Sequence, residues 1–172
     1  MSYQINRRDL IKIGAGAALT APAAFAITSE PKFFTPAEFA LLDELTEIII
    51  PADGHSPGAR AANVAAYIDA RTAEAFEAKE RDDWRAGLKL VDALSTELHG
   101  HAFMQATHDQ RVAVLTHMAK NEMHPKTPAE HFFQQLKFAT AHAYYTSNIG
   151  IHQEMEYKGN VMLPEFVGYE LK

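Results

Sequence analysis

The tetrapeptide Thr-Pro-Ala-Glu occurs twice, at 35–38 and at 127–130, and it constrains the fold more firmly than any other feature of the chain. A threonine at the N-cap offers its hydroxyl oxygen to the free N–H of the third helical residue. A glutamate at that third position accepts in return from the N–H of the cap. Proline between them takes the first helical position, where its missing N–H costs nothing. Each copy therefore predicts the start of a helix. Around the first copy, Phe34 and Phe39 hold the two positions of a hydrophobic staple. Phe39, Leu42, Leu45 and Ile49, with Leu41 and Ile48 beside them, form an apolar stripe that Pro51 ends. The residues after the two copies differ, so the repeat is one cap used twice and not a duplicated domain.

Between and after these starts the apolar spacing stays helical. Ala52 to Gly58 holds Asp-Gly and Pro-Gly within seven residues and reads as a turn-rich loop. A helix is expected from about Ala59 to Phe76, with Val64, Tyr67 and Ile68 inward. A charged hinge is expected over Glu77–Asp83. Trp84, Leu88, Val91, Leu94 and Leu98 then mark a third helix closed by Gly100. Thr107 with Gln110 caps a fourth, over about 108–121, carrying Val112, Leu115 and Met118 or Ala119 inside. The fifth follows Thr127 to about Ser147, with Phe132, Leu136, Ala139 and Ala143 inward and Gly150 as its stop. No period-two run of β-branched residues appears, so the fold class is all-α: a single-domain bundle of about five helices. From Ile151 to Lys172, Gly159-Asn160, Pro164 and Gly168 interrupt a segment rich in Met, Tyr and Phe. It is too apolar for a free tail and too broken for a long helix, and it is expected to lie along a surface, its own or a partner's.

The first 26 residues read as a leader. Arg7-Arg8 precede a short apolar run, and Ala24-Phe25-Ala26 closes it with the small-x-small pattern a signal peptidase accepts. The 14 residues from Ile13 to Ala26 are too few to span a bilayer. The arginine pair points to the twin-arginine route, which carries folded cargo. The expected organisation is thus a signal peptide over 1–26 and a helical domain over 27–172. Removing the leader takes away a net charge of +2 and leaves 146 residues at −8. That size supports a real core, and that charge argues against nucleic acid as a partner. The chain has no cysteine, which removes disulfides, thiolate nucleophiles, covalent c-type haem attachment and cysteine-bound iron–sulfur clusters.

Catalytic patterns are scarce. Gly14-Ala15-Gly16 half-matches a dinucleotide fingerprint, but it follows no strand and lies within the leader. Nine histidines invite a metal, yet none of the 14 glutamates has a histidine three residues on, as a helical di-iron site requires. Pro125 separates the evenly spaced His117, His124 and His131. No serine sits in a Gly-x-Ser-x-Gly elbow. Asp53 and His55 share a loop that could face a cleft, though Asp in a Gly/Pro loop is ordinary turn chemistry. No catalytic, cofactor-binding or metal-ligating residue is assigned. The residues leave open an independent exported helical enzyme or ligand-binding protein centred on Asp53 and His55, and a chaperone that dissociates after export.

Four features together resemble the gluconate 2-dehydrogenase subunit 3 family. These are the leader with Arg7 and Arg8; the segment Phe33-Phe34-Thr35-Pro36 through Ile48-Ile49-Ile50-Pro51 with Asp53 and Gly58-Ala59; Trp84 with Gly87-Leu88; and the stretch from Tyr145-Thr146-Ser147 and Gly150 through Tyr157-Lys158-Gly159-Asn160 and Leu163-Pro164-Glu165-Phe166 to Gly168. The resemblance implies a non-catalytic small subunit. Its large partner would be a glucose–methanol–choline type dehydrogenase that binds FAD and oxidises gluconate or a related sugar or polyol. A cytochrome subunit carrying haem often accompanies it. It also implies periplasmic placement through the twin-arginine translocase, with the small subunit's leader exporting its partner, and membrane association through partner subunits. Tyr157, Gly159, Asn160, Pro164 and Phe166 are the expected partner contacts.

Overall fold

The computed structural model describes residues 30–160. Six α-helices follow one another: α1 (Pro36–Ile49), a single turn α2 (Gly58–Ala61), α3 (Val64–Glu74), α4 (Ala78–His99), α5 (His108–Met118) and α6 (Pro128–Tyr145). A 3-10 turn (Phe103–Gln105) joins α4 to α5, and a π-turn (Gly150–Glu154) follows α6. Five of the helices are long, as expected, and no strand occurs among the described residues.

Helix starts follow the threonine caps. Thr35, Thr107 and Thr127 each accept from the third helical N–H, and Glu38, Gln110 and Glu130 each accept from the cap N–H. Gly100, with φ +80°, closes α4. The helices converge on one core. Leu42, Leu45, Val64, Val91, Val114, Met118, Leu136 and Tyr144 are fully buried there, with Leu88 at 2 % exposure. Helix α1 touches α2, α3, α4 and α6, and α4 also packs on α3, α5 and α6. At the α4–α6 crossing the Phe132 ring lies so tightly on Gly87 that a Cβ there would overlap it. Trp84, one turn earlier, meets the same ring edge-on at 5.7 Å.

Several expected details change. The helix expected from Ala59 to Phe76 is broken: Asn63 adopts left-handed dihedrals (φ 55°), and α2 and α3 lie on either side of it. Asparagine tolerates that region better than most residues, so one position can re-aim the chain. The charged hinge is helical. Its Glu80 lies in the first turn of α4, where a helix favours negative charge, and Lys79 pairs with Asp83 at 2.5 Å across one turn. Tyr67 and Val112 face outward at 41 % and 38 % exposure, while Val114 takes the buried place on α5. Gly150 does not stop α6, which ends at Tyr145. Its backbone lies against the Tyr144 carbonyl, where a side chain would clash.

Candidate functional site

Three polar assemblies and an aromatic cleft stand out on the surface of the described residues. The first assembly is centred on Asp69, a buried carboxylate of α3. Its Oδ2 accepts from the Lys32 N–H at 2.6 Å, and its Oδ1 accepts from Phe33 and Phe34 at 3.0 and 2.9 Å. Arg85 of α4 completes the clamp. Its guanidinium lies 4.2 Å from the Phe33 ring centroid and donates to the Phe33 carbonyl at 3.0 Å. Residues 32–34, just before α1, are therefore fastened to α3 and α4.

The second assembly links α1, α2 and α5. Arg60 binds Asp43 at 2.6 Å and Glu44 at 2.9 Å. Arg111 reaches Glu44 at 2.7 Å and donates to the carbonyls of Phe103 and Met104. Burial pushes the Glu44 carboxyl upward, but its hydrogen bonds and charge contacts with Arg111 and Arg60 outweigh that and hold it below the ordinary range. Glu47 accepts from the backbone N–H groups of Ala52 and Arg60. Gly58, at φ +82°, fits between Glu47 and Ala52 where a side chain would be both strained and crowded.

The third assembly holds the Asp53–His55 loop. The Asp53 carboxylate accepts from the N–H groups of Ser56 and His55 at 2.7 and 2.8 Å, and these bonds lower its pKa. Ser56 is hydrogen-bonded to the buried Tyr144 hydroxyl. The His55 ring lies 3.4 Å from the Glu154 carbonyl. Asp53 thus closes an Asx-type turn, and His55 touches the turn after α6. Among the described residues no three His, Asp or Glu side chains gather as a metal would require.

The cleft, of about 250 Å³, lies between α3, α4 and α6. Trp84 and Ile68 form its buried floor, and Tyr67, Arg71, Glu80, Phe138 and His142 form its walls. The His142 ring stacks parallel to Phe138 at 6.3 Å and lies 6.2 Å from Tyr67. No expectation from the sequence pointed to this cleft. Its signal was present in α6: Phe138, His142 and Tyr145 repeat at helical spacing on the side away from Phe132, Leu136 and Ala143.

Of the expected partner contacts, Tyr157 is half exposed, and its hydroxyl donates to Asn160 Oδ1 at 2.8 Å. Gly159 has φ +92°, so the conformational need for glycine there is real. Pro164 and Phe166 lie outside the described residues, as do Arg7, Arg8, Ala24 and Ala26.

The fold and surface define a small all-helical domain with a clamped N-terminal approach, a charged side and an aromatic cleft. The model of the family described as gluconate 2-dehydrogenase subunit 3 matches residues 36–163, so the chain belongs to that family. Membership makes it a subunit type of a multi-subunit, membrane-associated gluconate dehydrogenase complex, with partner subunits implied. No curated protein and no solved structure matches the chain. No helix among the described residues is long and apolar enough to cross a membrane.

Proposed function

We propose that this chain is the non-catalytic small subunit of a periplasmic, FAD-dependent dehydrogenase of the glucose–methanol–choline type. In this reading it escorts, assembles and stabilises the flavoprotein subunit that oxidises gluconate or a related sugar or polyol. The family match over residues 36–163 carries the proposal. The polar groups of the domain add to it: Asp53, Asp69 and Glu130 each bind backbone N–H groups of their own chain, a scaffold's use of carboxylates. FAD belongs to the partner, and haem to a cytochrome subunit where one is present. Arg7 and Arg8 take the folded chain through the twin-arginine translocase with its partner attached, and cleavage after Ala26 releases it. The segment from Tyr157 to Phe166, including Gly159, Asn160 and Pro164, contributes a contact to the flavoprotein.

Purification from the native host tests the reading. An FAD-containing chain is expected to co-elute from the periplasmic or membrane fraction, and Arg7→Lys with Arg8→Lys is expected to leave both chains in the cytoplasm. A homogeneous, catalytically active monomer would overturn the proposal in favour of an independent enzyme. Deleting Gly159 to Lys172 should leave a folded helical domain with diminished hold on the flavoprotein.

A further inference from the structure

Large aromatic side chains are unevenly placed on this surface. Five are exposed among the described residues: Tyr67, Phe76, Phe138, Tyr145 and Tyr157. Tyr67 lies on α3, Phe138 and Tyr145 lie one stripe apart on α6, and Phe76, wholly exposed, sits in the turn between α3 and α4. Tyr67 and Phe138 line one cleft, beside His142, while the exposed aliphatic residues Leu98, Val112 and Met123 are scattered over other elements. Isolated apolar residues are normal on a surface, but a contiguous aromatic patch is a mark of a binding face.

The chemistry of the cleft specifies its occupant. Its floor is apolar, and His142 stacked on Phe138 presents flat ring faces. Phe138 is 74 % exposed, so most of its ring has no partner within the domain. Arg71 stands at the rim with its side chain 67 % exposed, and its ion pair with Glu74 is long, at 3.7 Å. Aromatic residues together with arginine, around a fully desolvated centre, are the composition of protein–protein hot spots. The domain belongs to a complex subunit, so a partner chain exists to be met. Its charged side, across α1, α2 and α5, already satisfies its arginines internally.

We infer that the α3–α4–α6 cleft is the face on which the catalytic partner subunit docks. The occupant is a protruding apolar side chain of that subunit, inserted between Tyr67 and Phe138 over Trp84, with a neighbouring carboxylate directed at Arg71. The inference rests on the accessory-subunit reading and adds the location and chemistry of the interface.

A photo-crosslinking amino acid at position 138, in the complex co-expressed with its flavoprotein subunit, tests it. The expected product is a covalent adduct to the flavoprotein chain. Phe138→Asp is expected to lower the retained flavoprotein roughly tenfold or more, and Arg71→Glu to lower it less, while Val112→Asp on α5 leaves it unchanged. Circular dichroism of each variant should match the parent. Adducts joining two copies of this chain, or joining position 138 to residues 161–172, would overturn the inference, as would full retention by Phe138→Asp. These outcomes leave the accessory-subunit reading standing if the unmodified chain retains the flavoprotein. If the unmodified chain retains none, that reading fails and the docking inference fails with it.

Discussion

The α1–α2–α5 side and the α3–α6 side of this bundle meet water in opposite ways. On the first, Asp43, Glu44 and Glu47 are matched by Arg60, Arg111 and backbone N–H groups, so nearly every charge has a partner from a different element. On the second, aromatic rings lie exposed and Arg71 has only a long ion pair. A cross-linked charged side stabilises the domain by itself and gains little from a partner. An aromatic side adds little to folding and leaves apolar surface for association to bury. The difference separates the part of the surface that serves the fold from the part that serves assembly.

Mutations beneath both sides should have the largest effect. Leu88, at the centre of α4, supports both, and Leu88→Ala is expected to cost roughly 2–5 kcal/mol in chemical denaturation. Gly87→Ala should cost about 1–3 kcal/mol by forcing α4 away from Phe132. On the charged side, the Glu44 and Arg111 side chains are each 19 % exposed. Glu44→Gln should therefore cost about 1–2 kcal/mol while leaving flavoprotein retention unchanged. A loss of retention there would erase the division between the two sides. At the smallest end, Phe76→Ser and Phe138→Ser should move stability by no more than about 0.5 kcal/mol, as surface changes do. A large thermal destabilisation by either would assign that ring to the fold.

Acid provides a separate test of the caps. The Glu130 carboxyl is held below its ordinary value of 4.5 by the Lys126 N–H, the Asn121 amide and the Thr127 N–H. A group lowered in the folded state adds stability above its unfolded pKa and loses it as pH falls through the folded one. The contribution should be complete above about pH 4.5 and decline below it. Glu130→Gln should flatten that part of a stability–pH curve, and an unchanged curve would remove the cap from the account.

The elements most readable from sequence are those whose cause is local. Thr35, Thr107 and Thr127 carry their helix starts within four residues, and Leu42, Leu45, Leu88, Val91 and Leu136 follow from helical spacing; all five are buried. What escaped depends on distant contacts. The turn at Asn63 is a single backbone rotation with no composition signal around it. The charges of Glu77–Asp83 look like a hinge until their place at a helix N-terminus is known. The cleft needs α3 and α6 side by side, which no spacing within either helix states. Asp69 lies 35 to 37 residues from the backbone groups it holds, and an aspartate within an alanine-rich helix gives no hint of them.

Asp69→Asn keeps the shape of that clamp but removes its charge. It should raise the rate of tryptic cleavage at Lys32 while the helical signal stays constant.

That clamp also sets an arm's length. Lys32 is fixed to α3, and the bond expected to be cut after Ala26 lies only six residues upstream. A fully stretched chain of that length spans roughly 20 Å. Under the proposed export of a folded chain, a peptidase cutting after Ala26 would work within that distance of the folded body. Its active site would have to approach the junction of α1, α3 and α4 closely, and a bulky subunit seated over that junction would shield the bond.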